Sequence, residues 1–335
     1  MRNLILASAL SVLGACKSDH EVIRRQQSDV FYQEPTNEVD ILWVIDNSQS
    51  MADEQYKVAS EFDSFISSIE ETGLEFHIGV MTTDMDNLDQ RGQLVHGEGE
   101  PVYLAPDTPD YEALFAQRVQ VGIDGSDREK GIDAAYQALS EPLVSSVNDG
   151  FLRSGATLSI IYVSDENDCT DHGALDGYHE QLACYDHSDE LVPLRELIDD
   201  YRNLRRDREA QARMLVSAVV GPEIIDNCDG AVPGFRYDTM ADAFGGLIGS
   251  ICEEDFSGIM NNLGLEASGL MTSFQLTYPA VEDTLEVYVE DVAVDPGEVD
   301  GWTYAPEYYI LYFHGSAVPP RGSEITVHYE IASAY

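Results

Sequence analysis

Short apolar runs alternate with amphipathic segments between residues 39 and 270. The run at 39–45 is almost continuously apolar, which is typical of a strand buried on both faces of a sheet. Similar runs predict further buried strands at 76–81, 158–163, 214–220 and 247–251. Because parallel strands need long crossover connections, the alternation predicts an α/β fold. We expect a doubly wound, mostly parallel sheet with helices on both faces.

The segments between these runs carry apolar residues at helical spacing. In the segment 52–70, for example, Phe62, Phe65 and Ile69 fall on one face. The same spacing predicts helices at 111–119, 129–139, 191–208, 240–244 and 253–263. Ligands of such sheets bind at the carboxyl ends of the strands. The candidate functional residues are therefore those that directly follow the predicted strands.

From about residue 271 the pattern changes to short segments with period-two alternation, separated by prolines. It predicts strands at 274–278, 285–289, 308–313 and 325–331. We therefore expect a small antiparallel β-domain over 271–335. Trp302 and the many tyrosines of this part are expected in its core, and stacking on carbohydrate is the alternative interpretation for them.

The first sixteen residues have the features of an export signal rather than of a folded element. Arg2 precedes an apolar stretch at 4–13, which is too short to span a bilayer. The stretch ends in the string LGAC, whose cysteine is Cys16. This string resembles the lipobox of bacterial lipoproteins. The resemblance implies that Cys16 is acylated and that the protein is lipid-anchored in the bacterial cell envelope.

The polar segment 17–38 follows this signal. It shows no clear period, so we expect a flexible tether between the membrane and the folded part. Lys17, directly after the cysteine, favours the outer membrane. No later segment has the roughly 20 apolar residues that a membrane-spanning helix requires.

The composition narrows the classes of partner. The chain has 335 residues, with 18 basic and 62 acidic side chains and a net charge of −44. This charge argues against binding to nucleic acid or to an anionic lipid surface, because both require a basic patch. A hydrophobic content of 44% argues against a disordered acidic chain.

Four cysteines remain after Cys16: Cys169, Cys184, Cys228 and Cys252. Export favours disulfides, and proximity in sequence favours the pairs Cys169–Cys184 and Cys228–Cys252. Each of the first two cysteines is also followed by a histidine three positions later, His172 and His187. That spacing fits a zinc site, so a Cys/His zinc centre is the alternative.

The first predicted strand ends in Asp46-Asn47-Ser48-Gln49-Ser50, the string D-x-S-x-S. One carboxylate and two hydroxyls on a tight turn are oxygen ligands of the kind that a hard divalent cation prefers. In this position, between an apolar strand and a helix, the string resembles the metal-ion-dependent adhesion site of von Willebrand factor type A domains. The resemblance covers about residues 39 to 267 in the order of strands and helices, so we expect a type A-like domain over 39–270.

The resemblance implies two further ligands on later loops. Asp165, after the predicted strand 158–163, matches the family's second aspartate. Ser126 takes the place of the family's threonine, and Thr82 or Thr83 is the alternative for that ligand. The predicted metal ligands are then Asp46, Ser48, Ser50, Ser126 and Asp165, holding Mg²⁺ or else Mn²⁺ or Ca²⁺. Without a metal, the segment 46–50 would be a helix cap.

The charge of this site suggests a binding function. Two aspartates and neutral hydroxyls leave a divalent ion about neutral, so the ion keeps an exchangeable position for an oxygen ligand. In the family, a carboxylate of a partner protein often takes that position. Enzyme signatures such as G-x-S-x-G, H-E-x-x-H and the Walker A string are absent from the sequence, so we predict no enzymatic activity.

Together, these observations predict a lipoprotein that binds a protein partner through the metal, in adhesion or another protein–protein interaction. The alternative is a structural or assembly component of an envelope complex, in which the metal site serves docking or folding.

Overall fold

The computed structural model describes residues 25–33, 38–178, 183–204, 214–223, 228, 231–306 and 308–332. The predicted signal segment 1–16, with Cys16, lies outside these residues. So do two parts of the predicted tether, 17–24 and 34–37.

A five-stranded parallel sheet forms the middle of the chain. After an initial strand β1 (Gln26–Tyr32), its strands are β2 (Glu38–Ile45), β3 (Glu75–Thr82), β4 (Thr157–Ser164), β5 (Met214–Val220) and β6 (Ile248–Ser250). They lie in the order β3-β2-β4-β5-β6, and every neighbouring pair is parallel. The predicted α/β fold class is confirmed.

Helices cover both faces of this sheet. They are α1 (Ala52–Ser60), α2 (Phe62–Glu71), α3 (Tyr111–Arg118), α4 (Gly131–Ala138), the short α5 (Ala183–Asp186), α6 (Leu194–Leu204), α7 (Phe235–Phe244) and α8 (Ser257–Ala267). Helices α1, α2, α3 and α8 share one core with the sheet, and α4, α6 and α7 share the other. The predicted helix 52–70 is interrupted at Glu61, where α1 ends and α2 follows.

Large aromatic side chains fill both layers beside the central strands. On one face Trp43 packs edge-on against Phe65 and Phe115, with ring centroids 5.1 and 5.5 Å away. On the other face the hydroxyls of Tyr162 and Tyr201 are 2.6 Å apart. The strand ends that carry the candidate site are therefore anchored in a densely packed core.

Two antiparallel sheets share a separate core near the end of the chain. Their strands are β1 together with β7 (Ser273–Gln275), β8 (Glu286–Val289), β9 (Val292–Val294), β10 (Gly301–Ala305), β11 (Ile310–His314) and β12 (Glu324–Glu330). The strand orders are β1-β12-β8-β9 and β10-β11-β7. Trp302 is buried in this core and its Nε1 donates to the Val294 oxygen at 2.8 Å. The indole is therefore part of the core, and the alternative interpretation of Trp302, stacking on carbohydrate, is wrong.

The prediction of a tether is wrong for residues 26–32, which form β1. This strand pairs with β12 along its whole length, antiparallel. Its most buried side chain is Asp29, which accepts hydrogen bonds from the Tyr329 hydroxyl and the Thr277 N–H, both at 2.7 Å. Because a polar residue occupies the inward position, the alternation that predicts a strand is absent from the sequence.

The two antiparallel sheets, which we call the β-unit, are therefore built from both ends of the described chain, residues 25–33 and 271–332. Residues 25–33 form part of it, the chain then builds the α/β unit, and it returns to the β-unit at about residue 271. Gln33 fastens this junction, because its Nε2 donates to the backbone oxygens of Met271 and Pro319, each at 3.0 Å.

Candidate metal site

Asp46 and Asp165 meet at the carboxyl edge of the parallel sheet. Asp46 follows β2 and Asp165 follows β4, and these two strands are direct neighbours. The Asp46 N–H donates to the Val163 oxygen at 2.9 Å, which continues the ladder beyond the end of β2. Both side chains are buried, with 0% and 5% of their surface exposed. The sheet thus brings together the two aspartates that the sequence analysis singled out.

Serine hydroxyls surround these two carboxylates. In the turn after β2, the Ser48 N–H donates to Asp46 Oδ1 at 2.7 Å, and the hydroxyls of Ser48 and Ser50 lie 3.3 Å apart. The Ser50 hydroxyl also lies close enough to Asp165 to lower the pKa of that carboxyl, against the larger effect of burial, which raises it. The structure therefore gathers four of the predicted ligands, Asp46, Ser48, Ser50 and Asp165, into one cluster, which we call the metal cluster.

Ser164 adds a hydroxyl to the metal cluster that the sequence analysis did not select. Its Oγ donates to Asp46 Oδ2 at 2.6 Å. Ser164 is the last residue of β4, directly before Asp165, so its position next to a predicted ligand is the signal that would have found it.

The carboxylates of the metal cluster have no basic side chain paired with them in the part of the chain that the structure describes. Burial raises the pKa of Asp46 to about 7, although bonds from Ser164 and Ser48 oppose the rise and Asp165 adds to it. Burial also raises the pKa of Asp165. Within the described residues, no basic side chain forms an ion pair with either aspartate. Asp165 Oδ1 is buried and has no hydrogen-bond partner.

This donor set fits a hard divalent cation. Two carboxylates and a group of hydroxyls on one side resemble a site for Mg²⁺, which keeps water at its remaining positions. Within the part of the chain that the structure describes, no group of three or more His, Cys, Asp or Glu side chains is arranged to hold a metal ion. The metal cluster has two carboxylates, so the hydroxyls would have to supply the other protein ligands.

The remaining predicted ligand, Ser126, lies with a different loop. Its hydroxyl donates to Asp86 Oδ2 at 2.8 Å, and its N–H donates to Asp84 Oδ2 at 3.3 Å. Among the described residues, no hydrogen bond joins this hydroxyl to Asp46. Of the two alternatives, Thr82 bonds through its hydroxyl to Gln90 Oε1 at 3.3 Å.

Thr83, the other alternative, lies directly beside the end of β2. Its N–H donates to the Ile45 oxygen at 3.2 Å, and its own backbone oxygen accepts from the Lys130 N–H at 3.1 Å. The third loop ligand therefore stays a prediction shared by Ser126, Thr82 and Thr83.

The turn after β2 is tied to the loop 122–126. Gln55 Nε2 donates both to the backbone oxygen of Asp46 at 2.9 Å and to the backbone oxygen of Gly122 at 2.8 Å. The Gly125 N–H donates to the Asn47 oxygen at 2.8 Å, and a Cβ at residue 125 would lie 2.3 Å from Asn47 Oδ1. A side chain at residue 125 would therefore displace the Asn47 side chain.

Glu129 is a buried acid beside the metal cluster that the sequence analysis missed. Only 1% of its surface is exposed, and burial, followed by the charges of Asp46 and Glu166, raises its pKa to about 11. In the sequence it stands between Arg128 and Lys130, which suggests an ordinary surface charge. No pattern in the sequence marks it.

Both predicted disulfides are confirmed. Cys169 is bonded to Cys184 and Cys228 to Cys252, with Cα atoms 5.5 and 5.4 Å apart. The zinc alternative is wrong, because the two cysteines that it requires are bonded to each other. The first disulfide closes an excursion at 169–184 that lies beside the metal cluster, where the Cys169 N–H donates to the Glu129 oxygen at 2.6 Å.

Solved structures with a similar arrangement include three proteins from bacteria. One is a von Willebrand factor type A protein from Catenulispora acidiphila, with 13% identity and a TM-score of 0.39 over 93% of this chain and 62% of that chain. We call residues 38–267 the type A-like unit, after the resemblance of the D-x-S-x-S string and of the order of strands and helices that the sequence shows.

The other two are a pilus adhesin from Lactobacillus rhamnosus GG and an adhesive tip pilin from Group B Streptococcus agalactiae. The first has 9% identity and a TM-score of 0.45, over 91% of this chain and 41% of that chain. The second has 11% identity and a TM-score of 0.34, over 92% and 81%. The chain thus spans less than two thirds of the length of the first two proteins. Identities this low transfer no function to the type A-like unit.

No protein-family model matches the sequence, and no curated protein matches it either. Among the helices of the described residues, none combines the length and the apolar character that crossing a membrane requires.

Proposed function

We propose that this chain is a cell-envelope protein whose type A-like unit binds a protein partner through a divalent cation. The cation is Mg²⁺, or else Mn²⁺ or Ca²⁺. One observation carries the proposal: Asp46 and Asp165 are buried at the ends of adjacent strands, Asp46 accepts a hydrogen bond from the Ser164 hydroxyl, and neither aspartate has a basic partner among the described residues. A buried, unbalanced pair of carboxylates is costly unless a cation compensates it.

Asp46, Ser48, Ser50 and Asp165 would hold the ion, and Ser126, Thr82 or Thr83 would supply a further hydroxyl. When bound, the ion supplies a Lewis-acidic position that accepts a carboxylate or another oxygen of the partner. The residues of this chain orient that position. Ser164 and the Ser48 N–H fix both oxygens of Asp46, and Gln55 fixes the turn against the loop 122–126.

The two disulfides support a location outside the reducing cytoplasm, because such bonds persist in oxidising compartments. With the lipobox-like string at Cys16, this supports a lipid-anchored protein of the bacterial cell envelope, in the outer membrane. The net charge of −44 disfavours nucleic acid as a partner. In this proposal the chain acts by binding, without enzymatic activity.

A role in assembly of an envelope complex is the second candidate. The β-unit favours it, because that unit is built from both ends of the described chain and presents its own sheets beside the type A-like unit. Capture of envelope components without attachment to cells or matrix would support this role over adhesion.

Calorimetric titration with Mg²⁺ and Mn²⁺ tests the metal site. We expect wild type to bind one ion and Asp46→Ala to lose binding. Asp291→Asn, which removes one exposed negative charge on the β8–β9 hairpin, should bind as wild type does. Equal affinity in wild type and Asp46→Ala would refute the proposal. Ser126→Ala, Thr82→Ala and Thr83→Ala, measured in parallel, decide between the loop ligands.

A further inference from the structure

The strand β1 has one side that faces β12 and one side that faces away from it. At one end of the strand, the Gln33 N–H donates to the Ser323 oxygen at 2.9 Å. At the other end, the Ile331 N–H donates to the Arg25 oxygen, also at 2.9 Å. Because bonded residues alternate in an antiparallel ladder, the odd-numbered residues of β1 direct their backbone groups toward β12. The residues that direct theirs away from it are Gln26, Ser28, Val30 and Tyr32.

This outer side of β1 is open. Within the described residues, no strand pairs with it, and its N–H groups donate to no turn or loop. The Ser28 oxygen has a long contact with Gln27 Nε2, at 3.4 Å. The outward side chains are exposed, 48% for Val30 and 56% for Tyr32. The backbone of β1 can therefore accept a further strand.

The remaining sheet edges of the described residues are short or covered. The edge strands β6, β7 and β9 have three residues each. β3 is bonded at Ile78 and Val80 to the segment 95–104, and β10 is bonded to Gly297 through the Trp302 oxygen. With seven residues in unbroken register, β1 is the longest open edge in this part of the chain.

β1 also lacks most features that keep an edge strand from pairing. It contains no lysine, proline or bulge, and none of its outward side chains is charged. Its one charged residue, Asp29, points inward, where the Tyr329 hydroxyl and the Thr277 N–H donate to it. In a chain with a net charge of −44, a second copy meets less repulsion at such an edge than elsewhere. A basic partner gains no such advantage at β1, because the acidic surface elsewhere attracts it more.

We propose that two copies of this chain pair antiparallel through β1 and so join their β-units into one continuous sheet. The outward N–H and C=O groups of each β1 would bond to those of the other. A register centred on Asp29 would set two carboxylates opposite each other, which is unfavourable. A register centred on Val30 avoids this contact and brings the apolar outward side chains together. It places Val30 opposite its own copy and Tyr32 opposite Ser28 of the second copy.

The pairing does not depend on the proposed function, but it would extend that function. A dimer presents two metal clusters, and a partner that is held at two points is bound more tightly than at one. Since the metal cluster takes no part in the pairing, Asp46→Ala should dimerise as wild type does. Failure of the metal site and failure of the dimer are therefore separate results.

Sedimentation velocity over about a hundredfold range of protein concentration tests the pairing. We expect wild type to dimerise more tightly in about 0.5 M than in about 0.05 M NaCl, because salt screens the charge of both copies. Val30→Lys adds an outward charge to β1 and should raise the Kd of the dimer at least about tenfold. Val292→Lys adds the same charge to the exposed edge strand β9 and should dimerise as wild type does.

A proline variant tests the backbone of β1 without adding a charge. Ser28→Pro removes one outward N–H and leaves the bonds to β12 in place, because proline is tolerated on an edge strand where its nitrogen faces solvent. It removes one hydrogen bond from each copy and should also raise the Kd about tenfold. Ser28→Ala should leave the Kd unchanged. Thermal unfolding shows whether each variant is folded.

Hydrogen exchange then locates the interface. We expect the amides of Ser28, Val30 and Tyr32 to exchange more slowly as the dimer forms. A wild type that stays monomeric at about 1 mM in high salt would overturn the inference. So would a dimer of unchanged Kd in both Val30→Lys and Ser28→Pro. Slow exchange of these amides that does not depend on concentration would overturn it as well, because the chain would then cover its own edge.

Discussion

Replacing Glu266 by glutamine should remove a pH-dependent part of the free energy of unfolding. Glu266 lies on α8, and its Oε2 accepts hydrogen bonds from the Ser217 hydroxyl at 3.1 Å and from the Leu247 N–H at 2.9 Å. It thereby fastens the last helix of the type A-like unit to β5 and to the residue before β6. Burial raises the pKa of this carboxyl from 4.5 to about 7, although both hydrogen bonds oppose the rise.

The sign of the effect follows from the raised pKa. The folded protein holds the Glu266 proton more tightly than the unfolded chain does. This stabilisation is fully present below pH 4.5, where both states are protonated, and it is lost as the pH rises through 7. The difference in pKa is 7 − 4.5, or 2.5. At about 1.4 kcal/mol per pKa unit, the loss is about 3 kcal/mol, most of it between pH 5 and pH 8.

Denaturant unfolding of wild type and Glu266→Gln at pH 5 and pH 8 measures this loss, at fixed ionic strength and fixed metal concentration. Glutamine has the same size and its oxygen can accept both hydrogen bonds, so the fold should be kept. The other acids titrate alike in both proteins and cancel in the difference. Between pH 5 and pH 8, wild type should lose about 2–3 kcal/mol relative to the variant. A difference between the two proteins that stays constant with pH would refute the reasoning.

Two further predictions concern stability. Arg153→Ala should lower the free energy of unfolding by about 3–5 kcal/mol, because it leaves Asp40 buried without the guanidinium that lies 2.7 Å from its Oδ1. Asp40→Asn in the same background should recover part of this loss, and denaturation that shows no recovery would contradict the assignment. Replacing Cys169 and Cys184 by serine should cost about 3 kcal/mol, since the bond spans 15 residues; a thermal unfolding midpoint equal to that of wild type would contradict this.

The parallel sheet could be predicted because its central strands are buried on both faces. Such strands are apolar over most of their length, and β2 and β4 therefore stand out in the sequence as nearly continuous apolar runs. The ligands after them follow directly, because the end of a parallel strand fixes the edge at which the next residue lies. Asp46 is marked by its D-x-S-x-S string at the end of the first strand, whereas the choice of Asp165 also needed the resemblance to type A domains.

β1 could not be predicted for the opposite reason. Its inward position holds Asp29, whose burial is made acceptable by Tyr329 and Thr277, residues about 300 and 250 positions later. A short window of sequence contains no trace of those partners. The strand is specified by the far end of the chain, and the local pattern resembles that of a polar linker.

The candidate site also has one half that the local sequence specifies, on the strand ends, and one half that depends on a distant loop. The half on the strand ends, Asp46, Ser48, Ser50 and Asp165, is assembled in the structure. The loop half is not, because the Ser126 hydroxyl donates to Asp86 and no hydrogen bond joins it to Asp46 among the described residues. Thr83, by contrast, lies directly beside the end of β2, since its N–H donates to the Ile45 oxygen. If Ser126 is the ligand, the loop 122–126 has to present that hydroxyl oxygen to the ion while Gln55 and the Gly125 N–H tie the loop to the turn after β2.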